Sequence, residues 1–139
     1  VELTNVNGTL FFSASDGSNG AELWRSDGTA GGTTLVKDIN PSGDSAPTHL
    51  TNVDGTLFFR ADDGSNGVEL WRSDGTADGT TLVEDINPSG DSWPDHLTQA
   101  KGRLFFAAEE DTNGLELWAL PVPTRIYLPL IVKNSRAHL

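Results

Sequence analysis

A repeat of 47 residues dominates the chain and constrains its fold more than any other feature of the sequence. The segment Leu3–Val6 recurs as Leu50–Val53 and, in weaker form, as Leu97–Ala100. The same spacing relates two sets of triplets, Glu-Leu-Trp and Leu-Phe-Phe, which begin at Glu22, Glu69 and Glu116 and at Leu10, Leu57 and Leu104. A fixed period of about 20–50 residues is typical of repeat architectures, in which each unit needs its neighbours to bury its apolar surface.

The first two units, 3–49 and 50–96, are nearly identical. They differ at eight positions, mostly polar or beside turn residues: Asn7/Asp54, Ser13/Arg60, Ser15/Asp62, Ala21/Val68, Gly31/Asp78, Lys37/Glu84, Ala46/Trp93 and Thr48/Asp95. Such variation is typical of solvent-exposed strand faces and loop tips. The third unit follows the pattern as far as Trp118 and then diverges.

Each complete unit predicts four short β-strands. In the first unit, apolar and β-branched runs alternate with turn sequences rich in Asn, Asp and Gly; the runs are Leu3–Val6, Thr9–Ala14, Glu22–Arg25 and Thr33–Ile39. Asn-Gly and Asp-Gly supply the positive φ that tight hairpin turns need, so we expect consecutive strands to pair antiparallel. The segment Asn40–Pro47 is too long and too rich in proline for a hairpin, which indicates a crossing to the next unit.

Four short antiparallel strands per unit are typical of a propeller blade, so the predicted fold is all-β with three four-stranded antiparallel propeller-like blades. Alternation in the second strand places Leu10, Phe12 and Ala14 on one face and Phe11 on the other, as a sheet covered on both sides requires. Propellers close with about four to eight blades, and three leave edges and apolar faces open. We therefore expect other chains or missing sequence to complete the ring.

We expect one repeat domain over residues 1–139, with blades at 3–49, 50–96 and 97–133 and a tail at 134–139. The run from Ile126 to Val132 is β-prone, but Pro129 removes a ladder donor and suits an edge strand. Two interpretations remain open: the run is the last strand of the third blade, or it is an arm that adds a strand to another chain. Its candidate interface residues are Ile126, Tyr127, Leu128, Leu130, Ile131 and Val132.

The composition excludes several classes of function. The chain has nine Lys and Arg and 20 Asp and Glu, which gives a net charge of −11. The electrostatic field of such a charge repels the phosphates of nucleic acid. The absence of cysteine excludes disulfides, thiolate metal sites and cysteine nucleophiles. The longest apolar run, 126–132, is far shorter than the roughly 20 residues of a membrane helix, so no membrane insertion is expected.

Acidic loops are the candidate metal sites. Asp62, Asp63 and Asn66 cluster oxygen atoms of the kind that calcium binds, although their spacing is not that of an EF-hand. Asp and Asn beside Gly also form ordinary turns through hydrogen bonds to the backbone, so both interpretations stay open. The Asp-Gly-Thr sequences at Asp27 and Asp74 recur in both complete units, which favours a structural turn.

The aromatic residues divide into two groups. Trp24, Trp71 and Trp118 occur once per unit, and we expect them in the core between sheets, each with an indole N–H that needs a partner. Trp93 replaces Ala46 in a Pro-flanked crossing segment, so we expect it to be exposed. It is the best single candidate for contact with an interface or a ligand, whereas the alternative of a sugar-stacking platform falls on Trp24, Trp71 and Trp118.

Catalysis has little support in the sequence, and we expect no catalytic residues. Glu22, Glu69 and Glu116 occupy one position in each unit, which favours architecture over a glycosidase pair. His49 and His96 have no second ligand at metal spacing. No cofactor is expected unless the acidic loops bind calcium. The sequence around Asn7 is a glycosylation sequon, which predicts an attachment point in a host that glycosylates.

Residues 22–33 and 69–80 resemble the bacterial ELWxxDGT repeat family. The resemblance extends over 3–118, although the third unit retains only Glu-Leu-Trp, and the tail at 126–130 is similar to a C-terminal signature of some bacterial extracellular proteins. It implies kelch-like propeller blades in a secreted or cell-surface protein, in a family with no established catalytic activity; no signal peptide is present in residues 1–139.

The function predicted from these observations is that of a non-enzymatic extracellular structural or interaction module. It would self-associate through blade faces, sheet edges and the C-terminal β arm, as a homo-oligomeric ring or a filament. The alternative is a fragment of a larger propeller that binds a ligand, either a carbohydrate or a partner in calcium-dependent adhesion.

Overall fold

The computed structural model describes residues 2–121 and 130–131, and its regular structure there is entirely β, as the sequence predicts. Twelve strands in these residues form three antiparallel sheets. Sheet 1 contains β1 (Leu3–Val6), β2 (Thr9–Ser15), β3 (Ala21–Ser26) and β4 (Thr34–Lys37). No helix in the described residues is long and apolar enough to cross a membrane.

Sheets 2 and 3 repeat this arrangement 47 residues apart. Sheet 2 contains β5 (Thr48–Val53), β6 (Thr56–Asp62), β7 (Val68–Ser73) and β8 (Thr81–Glu84). Sheet 3 contains β9 (Asp95–Ala100), β10 (Arg103–Glu110), β11 (Gly114–Pro121) and the two-residue β12 (Leu130–Ile131). Each sheet is an open meander in which consecutive strands are neighbours, and equivalent residues share a register, as in the pairs Phe12–Trp24, Phe59–Trp71 and Phe106–Trp118.

The hairpin turns have the predicted backbone conformation. Between β1 and β2, Asn7 and Gly8 have φ of 52° and 89°, so both central residues are left-handed. Asp54 and Gly55 repeat these values at 50° and 87°. Two consecutive positive φ angles give the twist that matches paired strands, and Asn, Asp and Gly adopt them at the lowest cost.

The Asp-Gly-Thr turn between β7 and β8 is closed by side chains. Asp74 Oδ1 accepts hydrogen bonds from the backbone N–H of Thr76 at 2.9 Å and from its hydroxyl at 2.6 Å. Gly79 N–H in turn donates to Thr76 Oγ1 at 2.9 Å. A Cβ at Gly79 would lie 1.9 Å from Asp74 Oδ1, so any side chain at this position would displace the Asp74 carboxylate. The structural interpretation of this motif accounts for each of these contacts.

Sheet 2 packs between sheets 1 and 3. Its face toward sheet 1 contributes to one core, which contains Val6, Phe11, Leu23, Val36 and Ile39 from the first unit and Leu50, Leu57, Phe59, Ala61 and Trp71 from the second. Its opposite face contributes to a second core, which contains Val53, Phe58, Leu70 and Ile86 from the second unit and Leu104, Phe106, Ala108, Trp118 and Leu120 from the third. The hydrophobic effect therefore stabilises a stack of three sheets rather than a closed two-layer sandwich.

A buried glutamate anchors each described crossing segment. The Glu22 carboxylate accepts the N–H of Ile39 at 2.9 Å and the hydroxyl of Ser45 at 2.6 Å. Glu69 repeats this with Ile86 N–H at 3.0 Å and Ser92 Oγ at 2.5 Å. Both glutamates are fully buried. Each carboxylate thus supplies hydrogen-bond acceptors to the backbone of a loop that is not paired as a β-strand, which explains why one glutamate recurs per unit.

Burial also changes the protonation of Glu69. Removal of its carboxylate from water raises the pKa to about 7, and the repulsion of Asp85 acts in the same direction. The hydrogen bonds from Ser92, Ile86 and Asn87 oppose this rise because they favour the ionised form. The anchor of the second crossing segment therefore titrates near neutral pH.

The third unit ends differently from the first two. β12 pairs with Trp118 and Ala119 of β11, so Leu130 and Ile131 lie beside the sheet of their own chain. This is the arrangement expected if the run is the last strand of the third unit. The interface candidates Ile126, Tyr127, Leu128 and Val132 lie outside the described residues.

Candidate interaction surfaces

No sheet formed by residues 2–121 or 130–131 covers the outer face of sheet 1, which is an apolar surface. This surface, here called flank 1, consists of Leu3, Leu10, Phe12, Ala14, Trp24 and Leu35. Leu3 is 62% exposed, and the other five side chains are half-buried. Leu57 and Phe59 occupy the same repeat positions as Leu10 and Phe12, and both are 0% exposed because sheet 1 covers them. Leucine and phenylalanine at these repeat positions are thus completely buried where a neighbouring sheet covers them.

The outer face of sheet 3 likewise has no covering sheet among the residues that the structure describes. This surface, flank 2, contains Ala100, Phe105 and Leu117, of which Phe105 and Leu117 are half-buried. Phe58 and Leu70, at the same repeat positions as Phe105 and Leu117, are 0% exposed beneath sheet 3. A mainly apolar cavity of about 430 Å³ lies over flank 2, lined in part by Phe105 and Leu117. The two flanks are therefore repeat copies of the two covered faces of sheet 2.

Two grooves lie where the crossing segments meet the next sheet. Groove 1 has a volume of about 270 Å³, and its lining includes Ala46, Thr48, Arg60, Asp62, Val68 and Trp93. Groove 2 has a volume of about 340 Å³ and is lined by Trp93, Asp95, His96, Ala107, Glu109 and Leu115. Five residues of groove 1 are related to five of groove 2 by the 47-residue repeat, so the grooves are equivalent surfaces between successive sheets.

The differences between the first two units concentrate at these grooves. Five of the eight differing positions line one groove or both in the second unit, namely Arg60, Asp62, Val68, Trp93 and Asp95. The other 39 positions of the 47-residue unit, which include the core and the glutamate anchors, are identical in the first two units. In repeat proteins, constant positions maintain the stack, whereas a surface that runs along the repeats is available for binding.

Trp93 is exposed, as the sequence predicts, and it contacts Arg60. The indole is 48% exposed, and the guanidinium carbon of Arg60 lies 5.4 Å from the ring centroid. Arg60 also donates from Nε to Thr48 Oγ1 at 3.0 Å and from Nη1 to the carbonyl of Pro94 at 3.4 Å. The first unit has Ser13 and Ala46 at these positions, so the cation and the aromatic ring of this pair occur together in the second unit.

Asp95 brings two histidines together in a way that the sequence analysis missed. Its Oδ1 accepts the backbone N–H of the adjacent His96 at 2.7 Å and lies 3.0 Å from Nε2 of His49, and its Oδ2 lies 3.9 Å from Nδ1 of His96. The hydrogen bond from His96 N–H, together with the nearby His49, His96 and Arg60, lowers the pKa of Asp95, and this outweighs the opposing effect of burial. His49 and Asp95 are 46 residues apart, and only the repeat offset could have indicated that they meet.

The acidic loop uses its oxygens for turn hydrogen bonds. Asp63 Oδ1 accepts the N–H groups of Ser65 and Asn66 at 2.9 and 2.8 Å, and Oδ2 accepts Asn66 Nδ2 at 2.6 Å. Asp62 Oδ1 accepts the N–H of Gly64 at 2.7 Å. In the described part of the chain, no three His, Cys, Asp or Glu side chains form a group that could hold a metal ion. Calcium binding at Asp62, Asp63 and Asn66 remains a prediction.

The in-register tryptophans occupy two kinds of position. Trp71 and Trp118 are buried between sheets, whereas Trp24 lies on flank 1. The need of each indole N–H for a partner is not met: within the described residues the Nε1 atoms of all three are enclosed without a hydrogen-bond acceptor. The reason is that they lie on apolar sheet faces, where cross-strand neighbours such as Phe12, Phe59 and Phe106 offer no acceptor. Asn7 is exposed in its turn, where the sequon predicts modification.

Comparison of the chain with known proteins finds no matching family model, no matching curated protein and no matching solved structure.

Proposed function

We propose that this chain is a non-enzymatic, extracellular structural module of the ELWxxDGT repeat type, in which each sheet is a propeller-like blade and the open flanks bind further copies of the chain. The observation that supports self-association is the contrast in burial at equivalent positions. Leu57, Phe59, Phe58 and Leu70 are fully buried in sheet 2, whereas their copies on the flanks remain partly exposed. Covering the flanks would remove this apolar surface from water.

The repeat fixes the polarity of the proposed contact. Flank 1 copies the face of sheet 2 that packs on sheet 1, and flank 2 copies the face that packs on sheet 3. Flank 2 of one copy therefore fits flank 1 of the next, as successive sheets fit within the chain. This contact is heterologous, so it produces a ring if the rotation closes and a filament if it does not.

The C-terminal segment contributes a sheet edge to the same proposal. Within the described residues, β12 pairs with two residues of β11, Trp118 and Ala119. The longer β-prone run from Ile126 to Val132 would extend this edge or add a strand to the adjacent copy. An extracellular location rests on the family resemblance, and the acidic surface would keep unassembled copies in solution.

The alternative function, ligand binding by a calcium-dependent or carbohydrate-binding propeller fragment, has one favourable observation. The exposed ring of Trp93 beside two grooves is a surface on which a ligand could stack. The calcium form of this alternative is less favoured, because the loop N–H groups already occupy the carboxylates of Asp62 and Asp63.

Two single-flank variants test the proposal when they are mixed. Phe12→Glu places a charge on flank 1, and Phe105→Glu places one on flank 2, so each variant alone should remain monomeric. A mixture should form a 1:1 dimer and nothing larger, since one intact flank 1 meets one intact flank 2. Ser18→Glu, in an exposed loop, is the matched control and should associate like the unmodified chain.

Light scattering coupled to gel filtration measures the mass of each species. If Phe105→Glu associates as well as the unmodified chain, the contact joins flank 1 to flank 1, and the head-to-tail arrangement is refuted. If neither charge changes the mass distribution of an associating chain, the flanks are not the interface.

A further inference from the structure

Flank 1 and flank 2 differ in how closely they copy the covered faces of sheet 2. Every residue of flank 1 has the same residue type at its covered repeat position, as Leu3 and Leu50 illustrate. Flank 2 keeps phenylalanine and leucine at Phe105 and Leu117, but it has Ala100 where the equivalent faces of sheets 1 and 2 have valine. Of the residues that form the two flanks, Ala100 alone differs in type from its covered counterpart.

Valine at this repeat position is buried in both contacts between sheets of the chain. Val6 is 7% exposed in the core between sheets 1 and 2, and Val53 is 0% exposed in the core between sheets 2 and 3. Ala100 is exposed at the end of β9, beside the turn that leads to β10. Alanine lacks two methyl groups of valine, so a sheet that covered flank 2 in the same way would leave a void at this place.

A leucine of the neighbouring sheet accompanies each buried valine. Leu50 lies in the same core as Val6, and Leu97 packs against the core that contains Val53. Both leucines are repeat copies of Leu3 on flank 1. Leu3 is 62% exposed, so its side chain is available to an adjacent copy. A head-to-tail contact therefore brings Leu3 of one copy to the place where the other copy has alanine instead of valine.

We propose that Ala100 sets the strength of the contact between copies, because it leaves a void against Leu3 of the next copy that valine fills in both contacts within the chain. This inference rests on the head-to-tail association proposed above. A void forfeits the transfer free energy and the dispersion contacts of the missing groups. The contact between copies is therefore weaker than the contacts between sheets of one chain, and copies separate on dilution while each chain stays folded.

The substitution Ala100→Val restores the missing bulk and suits the fold, since valine ends the equivalent strands β1 and β5. The test uses the 1:1 dimer of Phe12→Glu with Phe105→Glu, which contains one contact: the Phe12→Glu chain supplies flank 2, and the Phe105→Glu chain supplies flank 1. Isothermal titration calorimetry measures its Kd. Placed on the Phe12→Glu chain, Ala100→Val should lower this Kd about fivefold to tenfold, as two newly buried methyl groups would.

The matched control carries the same substitution on the other chain of the dimer. On the Phe105→Glu chain, Ala100→Val lies on the blocked flank 2, outside the contact, and should leave the Kd unchanged. A double-mutant cycle adds Leu3→Ala to the Phe105→Glu chain. Because the added methyl groups lie against Leu3, Ala100→Val should then lower the Kd by about twofold at most. Urea unfolding of each chain alone should confirm that every variant is folded.

The outcomes separate this inference from the proposed function. A lower Kd with Ala100→Val on the Phe12→Glu chain, diminished by Leu3→Ala, supports the role of Ala100. An equal decrease from either placement is a general effect of apolar surface and overturns it. An unchanged Kd in both placements also overturns it, although head-to-tail association then stands and Ala100 is a residue suited to an exposed outer face. If the two single-flank variants form no 1:1 dimer, the proposed association is wrong, and this inference is wrong with it.

Discussion

Replacing Gly79 with alanine tests the account of the Asp-Gly-Thr turn. The new Cβ would lie 1.9 Å from Oδ1 and 2.1 Å from Cγ of Asp74, far inside van der Waals contact. The carboxylate must move, and it then loses its hydrogen bonds from the N–H and the hydroxyl of Thr76. The substitution therefore removes the side-chain closure of the turn between β7 and β8.

The magnitude follows from the two lost hydrogen bonds. Each contributes about 0.5–1.5 kcal/mol net, so the loss is about 1–3 kcal/mol. Alanine also lowers the conformational entropy of the unfolded chain, and at position 79, which has no positive φ, this offsets about 0.4–1 kcal/mol of the loss in stability. We expect Gly79→Ala to lower the free energy of unfolding by about 1–2 kcal/mol.

Gly31 is the matched control, because a Cβ there would meet no atom within 4 Å and the equivalent residue of the second unit is Asp78. Gly31→Ala should leave stability unchanged or raise it slightly. The assay is urea unfolding followed by tryptophan fluorescence, with monomeric Phe12→Glu as the background. In an Asp74→Ala background the cost of Gly79→Ala should vanish. An undiminished cost in that background, or an equal cost for Gly31→Ala, would refute the reasoning.

Three further predictions concern burial, protonation and metal binding. Phe59→Ala should cost about 3–5 kcal/mol, whereas Phe12→Ala, at the same repeat position but half-buried, should cost less than half as much; urea unfolding of both in the monomeric Phe105→Glu background would show this. Because the pKa of Glu69 is raised, the folded chain binds more protons than the unfolded chain between pH 4.5 and about 7. The free energy of unfolding should therefore fall as pH rises through this window. Unfolding measured from pH 5 to 8 should show that Glu69→Gln removes this pH dependence. A ligand that binds the folded state raises its melting temperature. If the carboxylates of the acidic loop serve only the turn, calcium at about 5 mM should leave the melting temperature unchanged. A rise that Asp63→Asn abolishes would contradict the turn interpretation.

Local chemistry made the sheets predictable from the sequence. Asn-Gly and Asp-Gly pairs set the left-handed turns at Asn7 and Asp54, and alternation set which residues face each side of β2. The repeat then indicated that the sheets recur every 47 residues, because equivalent sequences adopt equivalent strands, although β5 and β9 begin at Thr48 and Asp95, two residues before the predicted second and third units. These features depend on residues close together in the chain, where propensities act directly.

Contacts between distant residues were harder to predict. Glu22 lies in a strand beside Leu23 and Trp24, and nothing local indicates that it is buried as the acceptor for Ser45, 23 residues later. The grooves were missed for the same reason, since their walls come from different units. One available signal was that substitutions such as Ser13 to Arg60 and Ala46 to Trp93 occur together, which favours contact.

The mass of the unmodified chain in solution tests the proposed self-association most directly. Sedimentation equilibrium across a wide range of protein concentration would measure it against the 14.8 kDa of one chain. Head-to-tail covering of the flanks predicts an average mass above that of one chain that rises with concentration, from species whose masses are whole multiples of one chain. A mass that stays at one chain at every concentration would contradict it, because flank 1 and flank 2 would then remain open to water.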